Sequence, residues 1–357
     1  MKSEFIFSIL VLCSILLPFI GVLFSFKKFN TLFSPFEHLN CTNESQFDEE
    51  LSAIVSKSPI NDIFRRHQII LFVTNAGMIK LARNAICSLT RTGVPKNRYV
   101  IVALDEISYV SLKNFDANVL YYPSNYSTDP VNYRNKAEFY RIVKVRPYIA
   151  QKILNLGADV IISDIDIVFL QDPILLFSND ADFEVQVDSK EDALIPKDRN
   201  PFFWSVNLGF YKVHSTPVVR RFFPIWLRKM NVMPDSHDQT VMWLIVRSQT
   251  IQKVFADTLS INISGLLSSN EDSVFRLRYI DPLLAVNAGG VFIYGSKLWR
   301  REARQRNISS PVLCHFFHIS ETEQKERMMK EKKLWYIDES DACMSTPPKG
   351  NKWPYWS

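Results

Sequence analysis

The stretch DVIISDIDIVFL, residues 159–170, decides how the chain folds and where its chemistry lies. Its branched apolar run, residues 160–162, predicts a buried strand, and Asp164 and Asp166 follow that run directly. Side chains alternate along a strand, so the two carboxylates are expected to point to the same side. In a parallel sheet they would lie at the carboxyl edge, where open α/β sheets bind their ligands.

Strands and helices alternate on both sides of this stretch. Apolar runs predict further strands at residues 69–74, 98–105, 118–123, 182–187 and 205–213. Helical spacing predicts helices over residues 78–93, 133–156, 216–230 and 321–335. The alternation predicts an α/β fold, a mixed and mainly parallel sheet flanked by helices. The last of these helices is highly charged, which indicates a solvated face with local ion pairs.

Composition excludes several classes of protein. The 357 residues are 47% hydrophobic and 22% charged, which excludes a disordered chain, a collagen and a coiled coil. The formal charge is only +5 and no basic tract is present, so no nucleic-acid partner is expected. With 10 glycines, a glycine-loop nucleotide fold is disfavoured.

The amino-terminal region predicts a membrane anchor. Residues 5–26 carry no charge, and about 20 apolar residues span a bilayer as a helix. No small-x-small cleavage site follows, which favours an uncleaved signal anchor over a signal peptide. The predicted organisation is a cytoplasmic tail (1–4), the anchor (5–26), a lumenal stem (27–66), one catalytic domain (67–340) and a tail (341–357). An amphipathic amino-terminal helix of the domain is an alternative for part of the stem.

Sequons and cysteines indicate that the body of the chain is lumenal. Five Asn-x-Ser/Thr sequons are spread along it, at Asn40, Asn43, Asn125, Asn262 and Asn307. Outside the predicted anchor there are four cysteines, at positions 41, 87, 314 and 343. This even number fits one or two disulfides, with three possible full connectivities.

Paired carboxylates at a strand end are costly to bury unless a cation binds them. For Asp164 and Asp166, a hard divalent ion that also holds a diphosphate would offset that cost. The pattern D-x-D-x-V, which ends at Val168, also matches the nucleophile strand of haloacid-dehalogenase-type phosphatases, with Asp164 as nucleophile. A calcium loop is excluded, because Phe169 and Leu175 stand where that loop needs glycine and glutamate.

A family resemblance is carried by four stretches in order. They are KVRPYIAQKILNLGADVIISDIDIVFLQDP, VNLGFYKV, HDQTVMW and LCHFFHISETEQKERMMKEKKLW. Together they resemble the nucleotide-diphospho-sugar transferase domain of family 77 glycosyltransferases, over residues 68–336. The resemblance implies a Rossmann-like GT-A fold and a single-pass type II Golgi membrane enzyme with a lumenal catalytic domain. It also implies a UDP-sugar donor, a glycan or glycoprotein acceptor, and Mn²⁺ or Mg²⁺ as cofactor.

The resemblance also implies roles for residues on the donor side. Asp164 and Asp166 match the DXD motif that binds metal and ribose-diphosphate. Lys144 matches a basic position that faces the nucleotide, although its apolar neighbours fit a solvated helix face equally well. Asn207 and Gly209 match the N-x-G-F strand that borders the sugar.

Four later residues complete the predicted site. Asp238 and Gln239 match a D-Q pair at the start of a helix. The resemblance places this pair near the donor sugar or the acceptor and so implies a catalytic role. The alternative for Asp238 is that it only caps the helix. His315 is expected to complete the metal site, with His318 as the second candidate. Two other functions stay open, a lumenal phosphatase and a non-catalytic glycan- or nucleotide-binding protein on the same scaffold.

Overall fold

The computed structural model describes residues 43–61, 65–115, 117–122, 128–130, 136–178, 180–188, 205–255, 257–267, 273–289, 291–292, 296–319 and 321–346. The predicted cytoplasmic tail and anchor, most of the predicted stem, and the sequons at Asn40 and Asn125 lie outside these residues. Within the described part of the chain, every helix is too short or too polar to span a bilayer.

The strands of the described residues form two sheets. They are β1 (Ile60–Asn61), β2 (Arg66–Thr74), β3 (Tyr99–Ala103), β4 (Val119–Tyr121), β5 (Asp159–Ser163), β6 (Ile167–Phe169), β7 (Phe183–Val187), β8 (Val206–Val213), β9 (Thr250–Phe255), β10 (Thr258–Asn262), β11 (Val274–Tyr279), β12 (Ala285–Asn287) and β13 (Leu313–His315). The large sheet has the order β4-β3-β2-β5-β8-β7-β11-β10-β9, with β1 also paired to β2, and the small sheet has the order β12-β13-β6.

The predicted mixed α/β sheet is confirmed. Strands β4, β3, β2 and β5 run parallel to one another, and β8 then pairs antiparallel with both β5 and β7. Beyond β7, strand β11 is parallel to it, and β10 and β9 continue antiparallel. Among the described strands from β4 to β11 in the sheet order, β8 alone therefore runs opposite to the others.

Helices cover both faces of the large sheet. They are α1 (Glu44–Val55), α2 (Ile79–Arg91), α3 (Glu106–Asn114), α4 (Lys136–Asn155), α5 (Pro217–Val232), α6 (Asp238–Arg247), α7 (Ser296–Gln305) and α8 (Thr322–Glu331). Helices α1, α4, α5 and α6 contact one another and form one layer. Helices α2 and α3 contact each other and belong to the second layer. Alternation along β2 explains the two layers, because Ile70 and Phe72 join the core cluster that contains α2. Gly93 has a φ of +88° just beyond α2, as the sequence predicts for a helix stop.

The stretch 159–170 is not one strand, which corrects the sequence prediction. Strand β5 ends at Ser163, residues 164–166 form a turn, and β6 joins the small sheet antiparallel to β13. The change of partner is visible in the backbone. Asp164 N donates to Gly209 O of β8 at 2.6 Å, and Phe316 N donates to Asp166 O at 3.0 Å. The two aspartates therefore lie at the junction of the two sheets.

Helix α1 lies within the predicted stem and packs onto the domain. Its side chains Phe47, Leu51 and Val55 are buried. Phe47 meets the ring of Tyr122 at 5.1 Å between centroids. From residue 44 onward, this part of the chain therefore forms the amphipathic helix that was the alternative for the stem.

A disulfide fixes the carboxyl-terminal segment to α2. It joins Cys87 and Cys343, which are 256 residues apart in sequence. Asn84, also in α2, donates to Leu334 O at 3.2 Å and accepts from Tyr336 N at 2.6 Å. Cys314 is free and buried, and position 41 lies outside the described residues.

Buried charges hold the amino end of β5, away from the carboxyl edge. His214 Nδ1 lies 2.9 Å from Asp159 Oδ2, and its Nε2 lies 3.4 Å from Glu184 Oε1. Burial disfavours the charged imidazole ring, but the two carboxylates outweigh burial and raise the pKa of His214 above its ordinary value.

Candidate active site

A cavity of about 230 Å³ opens at the carboxyl ends of the parallel strands β2 and β5, where the strand order switches from the β3 side of β2 to its β5 side. This is where open α/β sheets place ligands, because neighbouring connections diverge there. The residues that line it come from distant parts of the chain. They are residues 73–75, 78, 139, 142, 143, 146, 164–166, 207–209, 237–239, 315, 317 and 325, of which 139, 142, 143 and 146 share one face of α4.

Asp164, Asp166 and His315 form the centre of the cavity. Each offers one ligand atom, and the three atoms lie within 4.8 Å of one another. His315 Nε2 is 3.6 Å from Asp164 Oδ2 and 3.2 Å from Asp166 Oδ1. Asp166 Oδ1 and His315 Nε2 are both buried, and neither makes a hydrogen bond within the described residues. Buried polar atoms are normally paired, so this arrangement indicates a place for a ligand or ion.

The other carboxylate oxygens of the two aspartates are held by cations. Arg146 Nη1 donates to Asp164 Oδ1, and Lys325 Nζ donates to Asp166 Oδ2 at 2.7 Å. Burial opposes ionisation of Asp166, but Lys325 and His315 outweigh it and keep the pKa of that carboxyl far below its ordinary value. Each aspartate therefore keeps one oxygen for His315 and the cavity and binds a cation with the other.

Gln186 fixes the ring of His315. His315 Nδ1 lies 2.8 Å from Gln186 Oε1, and an amide oxygen can only accept a hydrogen bond. Nδ1 must therefore carry the proton, so the neutral ring presents the lone pair of Nε2 to the carboxylates. Gln186 lies in β7, and Gln186 Nε2 is held in turn by Ala285 O at 3.1 Å.

Gly209 allows this cluster to form. A Cβ atom at this position would stand 2.2 Å from His315 Cε1 and 2.6 Å from Asp164 Oδ2. Asn207 stabilises the same strand, because its Oδ1 accepts from Gly209 N at 2.8 Å. The structure thus brings both residues of the predicted N-x-G pattern against the paired aspartates.

Asp238 and Gln239 also line the cavity, at the start of α6. The buried carboxylate of Asp238 accepts from Arg146 Nη2 at 2.9 Å. Burial raises the pKa of Asp238, but Arg146 and then His237 outweigh burial and lower it. Gln239 Oε1 accepts from Leu208 N at 3.1 Å. The helix cap is His237, so Asp238 is not the capping residue.

Two predicted residues lie outside this cluster. Lys144 Nζ donates to Met230 O, Met233 O and Pro234 O at 3.0–3.3 Å, so it binds the carboxyl end of α5 rather than the cavity. His318 is not among the three candidate ligands, and its Nε2 lies 3.4 Å from Asp188 Oδ1.

Arg146 and Lys325 take part in the site although the sequence prediction did not include them. Arg146 shares one face of α4 with Phe139, Ile142 and Val143, which line the cavity at helical spacing. That spacing is a usable signal, because it separates Arg146 from Lys144 two residues earlier. The run that contains Lys325 was predicted to be a solvated face, but buried Met329, one turn later, marks its inward side.

Residues 96–329, more than half of the chain, match the model of the family described as nucleotide-diphospho-sugar transferase. UDP-galactose:fucoside alpha-3-galactosyltransferase of Dictyostelium discoideum is 23% identical over 312 residues, which cover 80% of this chain and 45% of that protein. Arabinosyltransferase RRA1 of Arabidopsis thaliana is 27% identical over 186 residues, which cover 46% of this chain and 43% of that protein. The chain spans less than half the length of these curated relatives.

Solved structures show a weaker likeness. The galactosyltransferase LgtC in complex with donor and acceptor sugar analogues aligns over 79% of this chain and 98% of its own, with 12% identity and a TM-score of 0.44.

Proposed function

This chain belongs to the nucleotide-diphospho-sugar transferase family, and from that premise we propose that it is a metal-dependent glycosyltransferase of the secretory pathway. It would move a sugar from a UDP-sugar donor to a glycan or glycoprotein acceptor. The observation that carries the proposal is the cluster of Asp164, Asp166 and His315 in the cavity at the carboxyl ends of β2 and β5. The galactosyl- and arabinosyltransferase relatives support transfer of a sugar as the reaction.

The residues present fit a divalent ion. Asp166 Oδ1 and His315 Nε2 are buried without hydrogen bonds in the described chain, and Asp164 Oδ2 lies beside them. Two carboxylates with one imidazole suit Mn²⁺ better than Mg²⁺, which prefers oxygen ligands alone. When bound, such an ion supplies positive charge to the diphosphate that leaves the sugar.

The cations of the chain would orient the donor. Arg146 holds Asp164 and Asp238 together, so its guanidinium ties the metal-binding turn to the start of α6. Lys325 brings a second positive charge to the same cavity. Because three carboxylates line the same cavity, these cations favour an anionic ligand when a divalent ion is bound as well.

Asp238 is suited to bind a hydroxyl group rather than to remove a proton. Its pKa is lowered, chiefly by Arg146, against the effect of burial, so it stays ionised. An ionised carboxylate of low basicity is a strong hydrogen-bond acceptor but a poor general base. We therefore assign Asp238 to orientation of a sugar hydroxyl, with Gln239 beside it.

Two features support the lumenal location. The disulfide between Cys87 and Cys343 is typical of oxidising compartments. Asn43 and Asn307 are exposed, as glycan acceptors require, whereas Asn262 is half-buried and gives no such support. A glycosidase-sensitive mobility shift, together with protease protection of the full chain in sealed microsomes, would test the location and the anchor at residues 5–26.

The function is tested by titrating the full chain, purified in detergent after secretory expression, with UDP in Mn²⁺ and then in chelator. Asp164→Asn and Asp166→Asn should each abolish metal-dependent UDP binding. Asp180→Asn, in an exposed loop aspartate, should bind UDP as the wild type does. Turnover is then measured with a panel of UDP-sugars. A folded chain that binds no nucleotide would refute the proposal, and binding without turnover would favour the non-catalytic alternative.

The phosphatase alternative has no support from the site. Asp164 would have to be the nucleophile, yet one of its oxygens is bound by Arg146 and the other faces His315. If the chain bound phosphate analogues but not UDP, that result would support the phosphatase alternative.

A further inference from the structure

His318 has a backbone conformation that side chains rarely adopt. Its φ is +66°, and it follows the candidate ligand His315 by three residues. The left-handed region is disfavoured for residues with a Cβ atom and is readily adopted by glycine. Strained residues of this kind gather at functional sites, where the surrounding structure holds them in place.

The imidazole contacts Asp188, which in turn holds Gln239. His318 Nε2 lies 3.4 Å from Asp188 Oδ1, and Gln239 Nε2 donates to Asp188 Oδ2 at 3.1 Å. On its other side, Gln239 Oε1 accepts from Leu208 N at 3.1 Å. A carboxylate can only accept a hydrogen bond and a backbone N–H can only donate one. The Nε2 end of the Gln239 carboxamide must therefore face Asp188, and its Oε1 end must face Leu208 N.

The contact between His318 and Asp188 does little for stability. The two side chains are 28% and 25% exposed, and ion pairs open to water contribute little. Glycine at the same position would relieve the backbone strain. The imidazole also packs against the ring of Phe317, with 4.4 Å between the ring centroids.

We propose that His318 is a positioning residue, which through Asp188 holds the carboxamide of Gln239 in one orientation toward the cavity. This inference rests on the proposed transferase function, because it assigns Gln239 a task in sugar transfer. Of the two side chains that hold Asp188 in the described part of the chain, loss of the imidazole leaves only Gln239, which can then turn. Donor binding depends instead on the cluster around Asp164, so it should be preserved.

The test compares His318→Gly and His318→Asn with the wild type in the full chain. Because glycine suits a positive φ, we expect the Tm of His318→Gly to equal or slightly exceed that of the wild type. Its kcat should fall roughly 10- to 100-fold, as expected for misplaced groups, with KM for the donor unchanged. Asparagine tolerates the same backbone and offers a donor to Asp188, so His318→Asn should recover most of the lost kcat.

Arg65→Gly is the matched control. Arg65 also has a positive φ, of +50°, but it is exposed and lies just before β2, at the opposite end of that strand from the cavity. This variant relieves the same kind of strain and should leave kcat at the wild-type value.

Several outcomes would overturn the inference. They are an unchanged kcat in His318→Gly, a fall in its Tm, or a parallel loss of UDP affinity, which would place His318 in the donor site. Each requires a wild-type chain that transfers sugar, so each leaves the proposed function standing. A wild-type chain that transfers no sugar would overturn the proposed function and this inference together.

Discussion

Substituting alanine for Gly209 places a methyl group where His315 and Asp164 already lie. The new Cβ would stand 2.2 Å from His315 Cε1, whereas ordinary contacts begin at 3.4 Å. The ring or strand β8 must therefore shift by 1.2 Å, the difference between those two distances. The ring cannot turn away freely, because it is buried and its Nδ1 is bound to Gln186 at 2.8 Å.

Two effects should follow from this crowding. Overpacking a tightly packed site usually lowers the free energy of unfolding by about 1–3 kcal/mol. Displacement of a candidate ligand should also weaken Mn²⁺ binding by roughly 10- to 100-fold, the loss seen when the surroundings of a metal ligand are disturbed. Urea unfolding measures the first effect, and calorimetric titration of the full chain with Mn²⁺ measures the second.

Gly265→Ala is the control, because no atom of the described residues lies within 4 Å of the Cβ it would add. It should bind Mn²⁺ as the wild type does. If Gly209→Ala loses stability but keeps its Mn²⁺ affinity, His315 is not a metal ligand. If it changes neither quantity, the close packing described for Gly209 is wrong.

Three further predictions concern charge and cross-linking. Lys325→Gln removes a cation from Asp166, so calorimetry should show tighter Mn²⁺ binding and weaker UDP binding; equal affinities would contradict the assigned contact. Removing the disulfide with the double variant Cys87→Ser, Cys343→Ser should lower the free energy of unfolding by about 2–4 kcal/mol, measured in urea. The pKa of His214 is raised by buried carboxylates against the effect of burial, so its stabilisation is complete below pH 6.5 and is lost as pH rises through the folded pKa. Urea midpoints from acid to alkaline pH should therefore fall more steeply for the wild type than for His214→Gln, and parallel profiles would refute this.

Apolar runs predicted the strands well, because burial on both faces of a sheet leaves a clear trace in the sequence. The runs at 182–187 and 205–213 correspond to β7 (Phe183–Val187) and β8 (Val206–Val213). The same signal failed at 159–170 for a physical reason. Strand β6 is as buried as β5, so the apolar run continues across a turn that only the pairing with distant β13 reveals.

Local sequence predicted the site geometry only for Asp164 and Asp166, and the more distant lining residues were named from the family resemblance. Asp164 and Asp166 converge as expected, although they do so through a turn and not through strand alternation. Nothing local separates His315 from His318, since both stand in one apolar stretch. Their difference arises because His315 ends β13, whereas His318 lies in the loop beyond it, where contact with Asp188 holds it.

The charges in the cavity suggest how donor and metal would bind together. Among the described residues that line it, three carboxylates face two permanent cations, which leaves one negative charge when the histidines are neutral. A divalent ion would turn that excess into one positive charge, and the diphosphate of a sugar donor, which carries two negative charges, would more than offset it. Metal should therefore strengthen UDP binding, and by thermodynamic reciprocity UDP should strengthen metal binding by the same factor. Measuring Mn²⁺ affinity with and without UDP would test this, because equal affinities would mean that the diphosphate and the ion do not share the cavity.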